Sequence, residues 1–187
     1  MKSRKSPLKT LIFLAVAIAV AVAAIGRFFP LDYMDLIMKY SRKNQLAPAL
    51  VCAVIKAESS FNPDAHSKEN ASGLMQLIQQ TADWGGQELE IPNYSYDRIF
   101  DPELNIQLGT WYLNKLIAQF GDVNTALAAY NAGSGNVSGW LQDSKLSADG
   151  KTLDEIPFPE TAAYLERVTG NQRFYSVILG LLGGFYE

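Results

Sequence analysis

The sequence holds a single cysteine, Cys52, and a single histidine, His66, in 187 residues. One cysteine excludes an intrachain disulfide framework and any cysteine-based metal site, and its place inside an apolar helical run assigns it to core packing. It does not directly follow the N-terminal apolar run, so it is not placed like a lipoprotein cysteine. The histidine lies in a polar loop and is read as solvated rather than as a ligand or base. Basic residues are scarce away from the N-terminus. Five of the 16 Lys and Arg lie in residues 1–30, which hold none of the 19 Asp and Glu, so the remainder has eleven basic against nineteen acidic residues, a net charge of −8. An acidic domain without a basic stripe excludes nucleic-acid binding. No repeat, low-complexity tract or period-2 strand pattern appears after residue 30, and no cofactor is expected.

What is present suits one domain with a real core and a short appendage. A hydrophobic content of 48% with 19% charged residues is a globular balance. Residues 1–30 differ in kind: Lys2, Arg4, Lys5 and Lys9 precede an apolar run from Leu11 to Ile25, closed by Gly26 and Arg27. The length falls between a signal-peptide core and a membrane span, and Ala21, Ala23 and Ala24 offer small residues for cleavage. A signal-anchor crossing the membrane through residues 11–26 is the favoured expectation, with a cleaved signal peptide the alternative. Either places residues 31–187 on the extracytoplasmic side of a bacterial membrane, by the positive-inside bias.

Helical signals fill the rest. Residues 31–43 and 47–58 carry helical spacing, with Pro48 suited to a first turn. A third helix is expected over 72–84, opened by Ser72. Asp101-Pro102 starts and Gly121 stops a helix that is apolar nearly all round, a central core element. Asn124 is expected to cap the next, Ser134 to Leu141 forms another, and Glu160 to Tyr186 the last. The polar stretches 85–100 and 142–159 are long for a helical domain and are candidates for the walls of a cleft.

One carboxylate stands out. In the helix from Pro48, Leu50, Val51 and Val54 define a stripe, and Glu58 lies four residues after Val54 and seven after Val51, where core side chains point. Desolvation and the negative helix end both raise the pKa of such a group, and a carboxyl protonated near neutrality is what a general acid requires. A glutamate that bends out to solvent satisfies the same geometry.

The motifs ES-x-FNP (58–63), A-x-S (65–67), ASGLMQL (71–77), DP-x-LNIQLGT-x-YL (101–113), AAYNAG (128–133) and IPFPET-x-x-Y (156–164) occur in this order. Over residues 45–178 the chain resembles the lytic transglycosylases with the soluble-lytic-transglycosylase, lysozyme-like catalytic domain. The resemblance implies an all-α fold with a substrate groove and cleavage of the β-1,4 bond between N-acetylmuramic acid and N-acetylglucosamine in peptidoglycan strands, without water. It implies that Glu58 protonates the glycosidic oxygen and then, as carboxylate, takes the proton of the muramic C6 hydroxyl, closing a 1,6-anhydro ring. Most glycosidases pair two carboxyl groups; no second acid stands in the motifs near Glu58, and Asp64 lies beyond the Pro63 break.

By the same resemblance Ser67 and Gln76 contact substrate, Tyr130 orients the acid, Asn131 follows it on the groove wall, and Glu160 and Tyr164 hold sugar substituents. Tyr130 as a core residue, Asn131 as a C-cap and Glu160 as a helix-dipole partner are the plainer readings. Leu77, Ile78 and Gln79 depart from the family pattern of Met or Thr and then Pro, which bears on subsite contacts and not on the acid. A lysozyme-type hydrolase and a non-catalytic glycan-binding module are the alternatives.

Overall fold

Prolines open four of the helices in the computed structural model, which describes residues 7–183. The chain divides into two units, Met1–Asp32 and Tyr33–Glu187. The first is built on helix α1 (Pro7–Phe28), on which Leu11, Ile12, Phe13, Leu14, Val16 and Val20 are exposed. The expected membrane span is not supported: among the described residues no helix is long and apolar enough to cross a membrane. The physical reason is reach, since residues 11–26 rise about 24 Å against a hydrocarbon core of about 30 Å. The flanking Lys2, Arg4 and Lys5 lie outside the described residues.

The second unit holds α2 (Met34–Lys43), α3 (Pro48–Glu58), α4 (Gln79–Glu88), a 3-10 turn at Tyr96–Arg98, α5 (Pro102–Phe120), α6 (Val123–Ala132), α7 (Ser134–Trp140) and α8 (Pro159–Leu181). Among the described residues there is no strand, only isolated bridges from Ser72 to His66 and to Leu77. The fold is all-α.

α5 is the hub. It begins where expected, with the Asp101 side chain accepting from the Leu104 amide and Pro102 in the first turn, and ends on Gly121 at φ 71°. α2, α4 and α6 all pack on it. Its buried polar residues tie the neighbours: the Thr110 hydroxyl donates to the Ile106 carbonyl and accepts from Asn44 Nδ2 at the end of α2. α3 runs along α8 and is more deeply set than its stripe suggested, with every residue from Ala49 to Ile55 buried. Cys52 is fully buried there, against Met34 Sδ at 3.7 Å.

The expected helix from Ser72 is corrected: residues 72–77 form a tight turn, and α4 starts only at Gln79. Asn105 of α5 is the cause. Fully buried, its Nδ2 donates to the carbonyls of Ser72 (3.0 Å) and Ile99 (2.9 Å), and its Oδ1 accepts from the Met75 amide at 2.7 Å. Backbone groups that would serve a helix are thus spent on a side chain. Gly73, at φ 80°, allows the close approach, since a Cβ there would meet Asn105 Cγ and the Ile99 carbonyl at 2.8 Å. Asp122, not Asn124, caps α6, accepting from the Thr125 amide at 2.7 Å. α8 ends at Leu181, Leu182 and Gly183 form a turn rather than the expected continuation of the helix, and the rest of the expected extension to Tyr186 lies outside the described residues.

Asn105→Ala strands two carbonyls and one amide in the core, so a loss of about 2–4 kcal/mol in urea unfolding is expected. A loss below about 1 kcal/mol would show that the turn holds itself.

Candidate active site

α3 is sealed to Ile55, and exposure returns only over Lys56, Ala57 and Glu58. Glu58 therefore stands where the core opens into a groove of about 810 Å³, lined from α3, the 67–81 segment, α5, the end of α6 and the start of α8. All seven residues expected at the site line this groove: Glu58, Ser67, Gln76, Tyr130, Asn131, Glu160 and Tyr164.

Burial, the dominant effect, pushes the Glu58 carboxyl up to about 7 from its ordinary value of 4.5. The Tyr164 hydroxyl and the Arg167 charge oppose that rise. Tyr164 is 1% exposed and its hydroxyl has no well-formed hydrogen bond, although it lies close enough to Glu58 to favour the carboxylate. Burial in turn holds the Tyr164 and Tyr130 hydroxyls well above their ordinary value, with the Glu58 charge adding to it. No other carboxylate acts on Glu58, although Glu69 and Glu160 also line the groove.

Around this acid each side chain is held by a different element. Tyr130, near the end of α6, donates its hydroxyl proton to the Met75 carbonyl at 2.9 Å, which leaves the oxygen's lone pairs for a donor in the groove. Its ring lies 5.3 Å from that of Tyr112 on α5. Gln76, at φ 47°, sends Nε2 to the carbonyls of Ala65 (3.1 Å) and Gly73 (2.9 Å), so its remaining polar atom, Oε1, is an uncommitted acceptor. Ser67 accepts from the Glu69 and Ala71 amides and thereby shapes its own loop. Asn131 Oδ1 accepts from the Thr161 hydroxyl at 2.7 Å, tying α6 to the first turn of α8. It is not the C-cap of α6; Gly133 is. Glu160 is exposed in the first turn of α8, where an acid also suits the helix dipole.

Several participants escaped the sequence reading. Arg167 lines the groove, and so do Tyr112, Thr81 and Phe158. Arg167 follows Tyr164 by three residues and Glu160 by seven, so helical spacing alone put it on the same face. Tyr112 stood inside a recognised motif. Nothing local marked Asn105, whose partners lie 6 to 33 positions away. His66 is an exposed residue, but its Nδ1 lies 2.9 Å from the Ser72 hydroxyl, so it braces the 66–77 turn. The 85–100 segment contributes nothing to the groove lining. It folds onto α4 instead, Tyr94 donating to Asp83 at 2.8 Å and packing where Gly86 has no side chain. The 142–159 segment reaches the groove only through its end, Phe158 and Pro159.

Residues 35–152 match the transglycosylase SLT domain family. The chain belongs to that family. It is 37% identical over 155 residues to the soluble lytic murein transglycosylase of Escherichia coli, covering 81% of this chain and 24% of that one. It is 33% identical to the membrane-bound lytic murein transglycosylase C of Edwardsiella ictaluri, covering 76% of this chain and 46% of the relative. Among solved structures it resembles an inactive mutant of the lytic transglycosylase Slt from Pseudomonas aeruginosa, with a TM-score of 0.75 at 34% identity over 83% of this chain and 26% of that one. A complex of the 70-kDa soluble lytic transglycosylase with bulgecin A matches with a TM-score of 0.74 at 37% identity over 81% of this chain and 25% of that one. The SLT domain here thus spans about a quarter of the length of its soluble relatives.

Because Glu58 has a raised folded-state pKa, its contribution favours folding below the unfolded value near 4.5 and is lost as pH rises through about 7. Glu58→Gln, which cannot ionise, should match the parent in stability near pH 4 and exceed it by about 2–3 kcal/mol near pH 8. Equal stability at both pH values in denaturant titrations would mean that the carboxyl is solvated.

Proposed function

We propose that this SLT domain is a peptidoglycan lytic transglycosylase in which Glu58 serves first as acid and then as base. The observation that carries the reading is a half-buried carboxyl, held near neutrality, in the lining of a groove where no other carboxylate influences it. In the first step the Glu58 proton passes to the glycosidic oxygen, the bond from that oxygen to the muramic C1 breaks, and positive charge develops at C1. In the second, the C6 hydroxyl oxygen attacks C1 while its proton returns to Glu58. The atoms balance with no water consumed, and the acid is regenerated in the form in which it began.

The surroundings support both halves. Desolvation keeps the proton on Glu58 for the first step, and the Tyr164 hydroxyl and Arg167 charge favour the carboxylate that the second step uses. Tyr130, with its proton committed to Met75, presents an acceptor that can orient the Glu58 proton. Gln76 Oε1 provides an acceptor on the opposite wall, suited to an amide or hydroxyl of the sugar, and Ser67, Asn131, Glu160 and Tyr164 complete the strand's polar contacts. Residues 1–30 act as an export segment and residues 31–187 as the catalytic domain, which works outside the cytoplasm, where the substrate lies.

Purified sacculi should yield 1,6-anhydro-muropeptides, and Glu58→Gln should abolish their release while leaving strand binding intact. Activity should fall as pH rises through about 7, as Glu58 loses its proton. Reducing-end muropeptides would assign a lysozyme-type hydrolase, and binding with no product a glycan-binding module.

A further inference from the structure

Arg167 is the one cation among the residues lining the groove, whose other charged residues are Glu58, Glu69 and Glu160. It has no ion pair: the salt bridges among the described residues join Lys39 to Glu103 and Lys115 to Glu88, all outside the groove lining. Its guanidinium carbon lies 6.0 Å from the centroid of the Tyr164 ring, a side chain that is itself buried. Glu160, Tyr164 and Arg167 fall at i, i+4 and i+7 on one face of α8, so the cation faces the same groove as Glu58. An exposed arginine that makes no salt bridge, placed in an otherwise acidic groove, offers a site for an anion. Its planar fork suits a carboxylate better than any neutral sugar hydroxyl.

We propose that Arg167 is a specificity residue that binds a carboxylate carried by the muramic sugar beside the scissile bond. The inference rests on the lytic-transglycosylase reading and names what that site prefers: an acidic glycan rather than a neutral one. A carboxylate can come from the lactyl ether of a bare strand or from an attached peptide.

Binding there also reaches the acid. Glu58 is faced by Tyr130 from α6, by Tyr164 and Arg167 from α8, with Tyr112 of α5 behind Tyr130, while Glu69 and Glu160 stand on the walls. Arg167 is the only positive charge in this set, and it favours the Glu58 carboxylate. An anion seated on it offsets that influence, so Glu58 holds its proton to higher pH when an acidic strand occupies the groove.

The test compares three glycan preparations: strands with peptides attached, strands stripped by an amidase to free lactyl carboxylates, and stripped strands whose carboxyls have been converted to neutral amides. The wild-type protein should favour at least one carboxylate-bearing preparation over the neutral one by roughly tenfold in kcat/KM, and the first two arms identify the source. Arg167→Gln should bring that ratio close to one, with most of the change in KM, and Arg167→Lys should keep part of it. In the wild type the alkaline limb of kcat should lie at higher pH on the favoured strands than on neutral ones, a difference that Arg167→Gln removes. A role for Arg167 that is structural, or that acts only through its charge on Glu58, would leave both the ratio and the difference between the limbs unchanged. Absence of a wild-type preference, or a preference that survives Arg167→Gln, overturns the proposal. Strand binding measured in a Glu58→Gln background separates the two readings. No turnover of any strand, with binding that still needs both the carboxylate and Arg167, overturns the lytic reading alone.

Discussion

One buried amide, that of Asn105, holds one side of the groove together. Its three hydrogen bonds pin the turn that carries Ser72, Met75 and Gln76 against α5 and the Ile99 carbonyl. With the Met75 amide fixed from one side, its carbonyl is presented on the other, where it receives the Tyr130 hydroxyl. The Glu58 charge in turn helps to raise the Tyr130 hydroxyl above its ordinary value, so the two groups face one groove. The Tyr130 hydroxyl is therefore positioned through a chain of hydrogen bonds that begins on the hub helix and passes through a loop with two left-handed residues, Gly73 and Gln76. Strain of that kind persists only where the surroundings over-determine it.

A second constraint comes from packing between α3 and α8. Burial of α3 on every face, with each large aliphatic side chain contributing about 1.5–3 kcal/mol, leaves no freedom for the helix to rotate. Its last residue then meets Tyr164 and Arg167 from α8 whether or not the local electrostatics favour it. Glu58 is a costly residue to keep there when ionised, and that cost holds its carboxyl near neutrality, which is the property that the proposed acid-then-base role draws on.

The fold was legible wherever the signal was local. Asp101-Pro102 and Gly121 marked both ends of α5, Pro48 opened α3, and the apolar surface of α5 announced a central helix. The sites of failure were those where a distant residue overruled a local pattern. Ser72 looked like a helix start until Asn105, 33 positions away, took the backbone groups of the turn. The 85–100 segment looked like a cleft wall and is instead a cover for α4, because Tyr94 packs into the space that Gly86 leaves. The stripe led to Glu58, which lines the groove, but by an incomplete reason. A helix buried all round has no single face, and it is α6 and α8, not the α3 pattern, that surround the carboxyl. The apolar N-terminal run has a length close to the boundary between two kinds of segment, and among the described residues no helix is long and apolar enough to cross a membrane.

The central claim is that Glu58 works alone and that no water enters the product. Digestion of sacculi in heavy-oxygen water tests it most directly. The account predicts muramoyl ends that carry no label and have the mass of an anhydro sugar; a labelled, hydrated muramoyl end would contradict it.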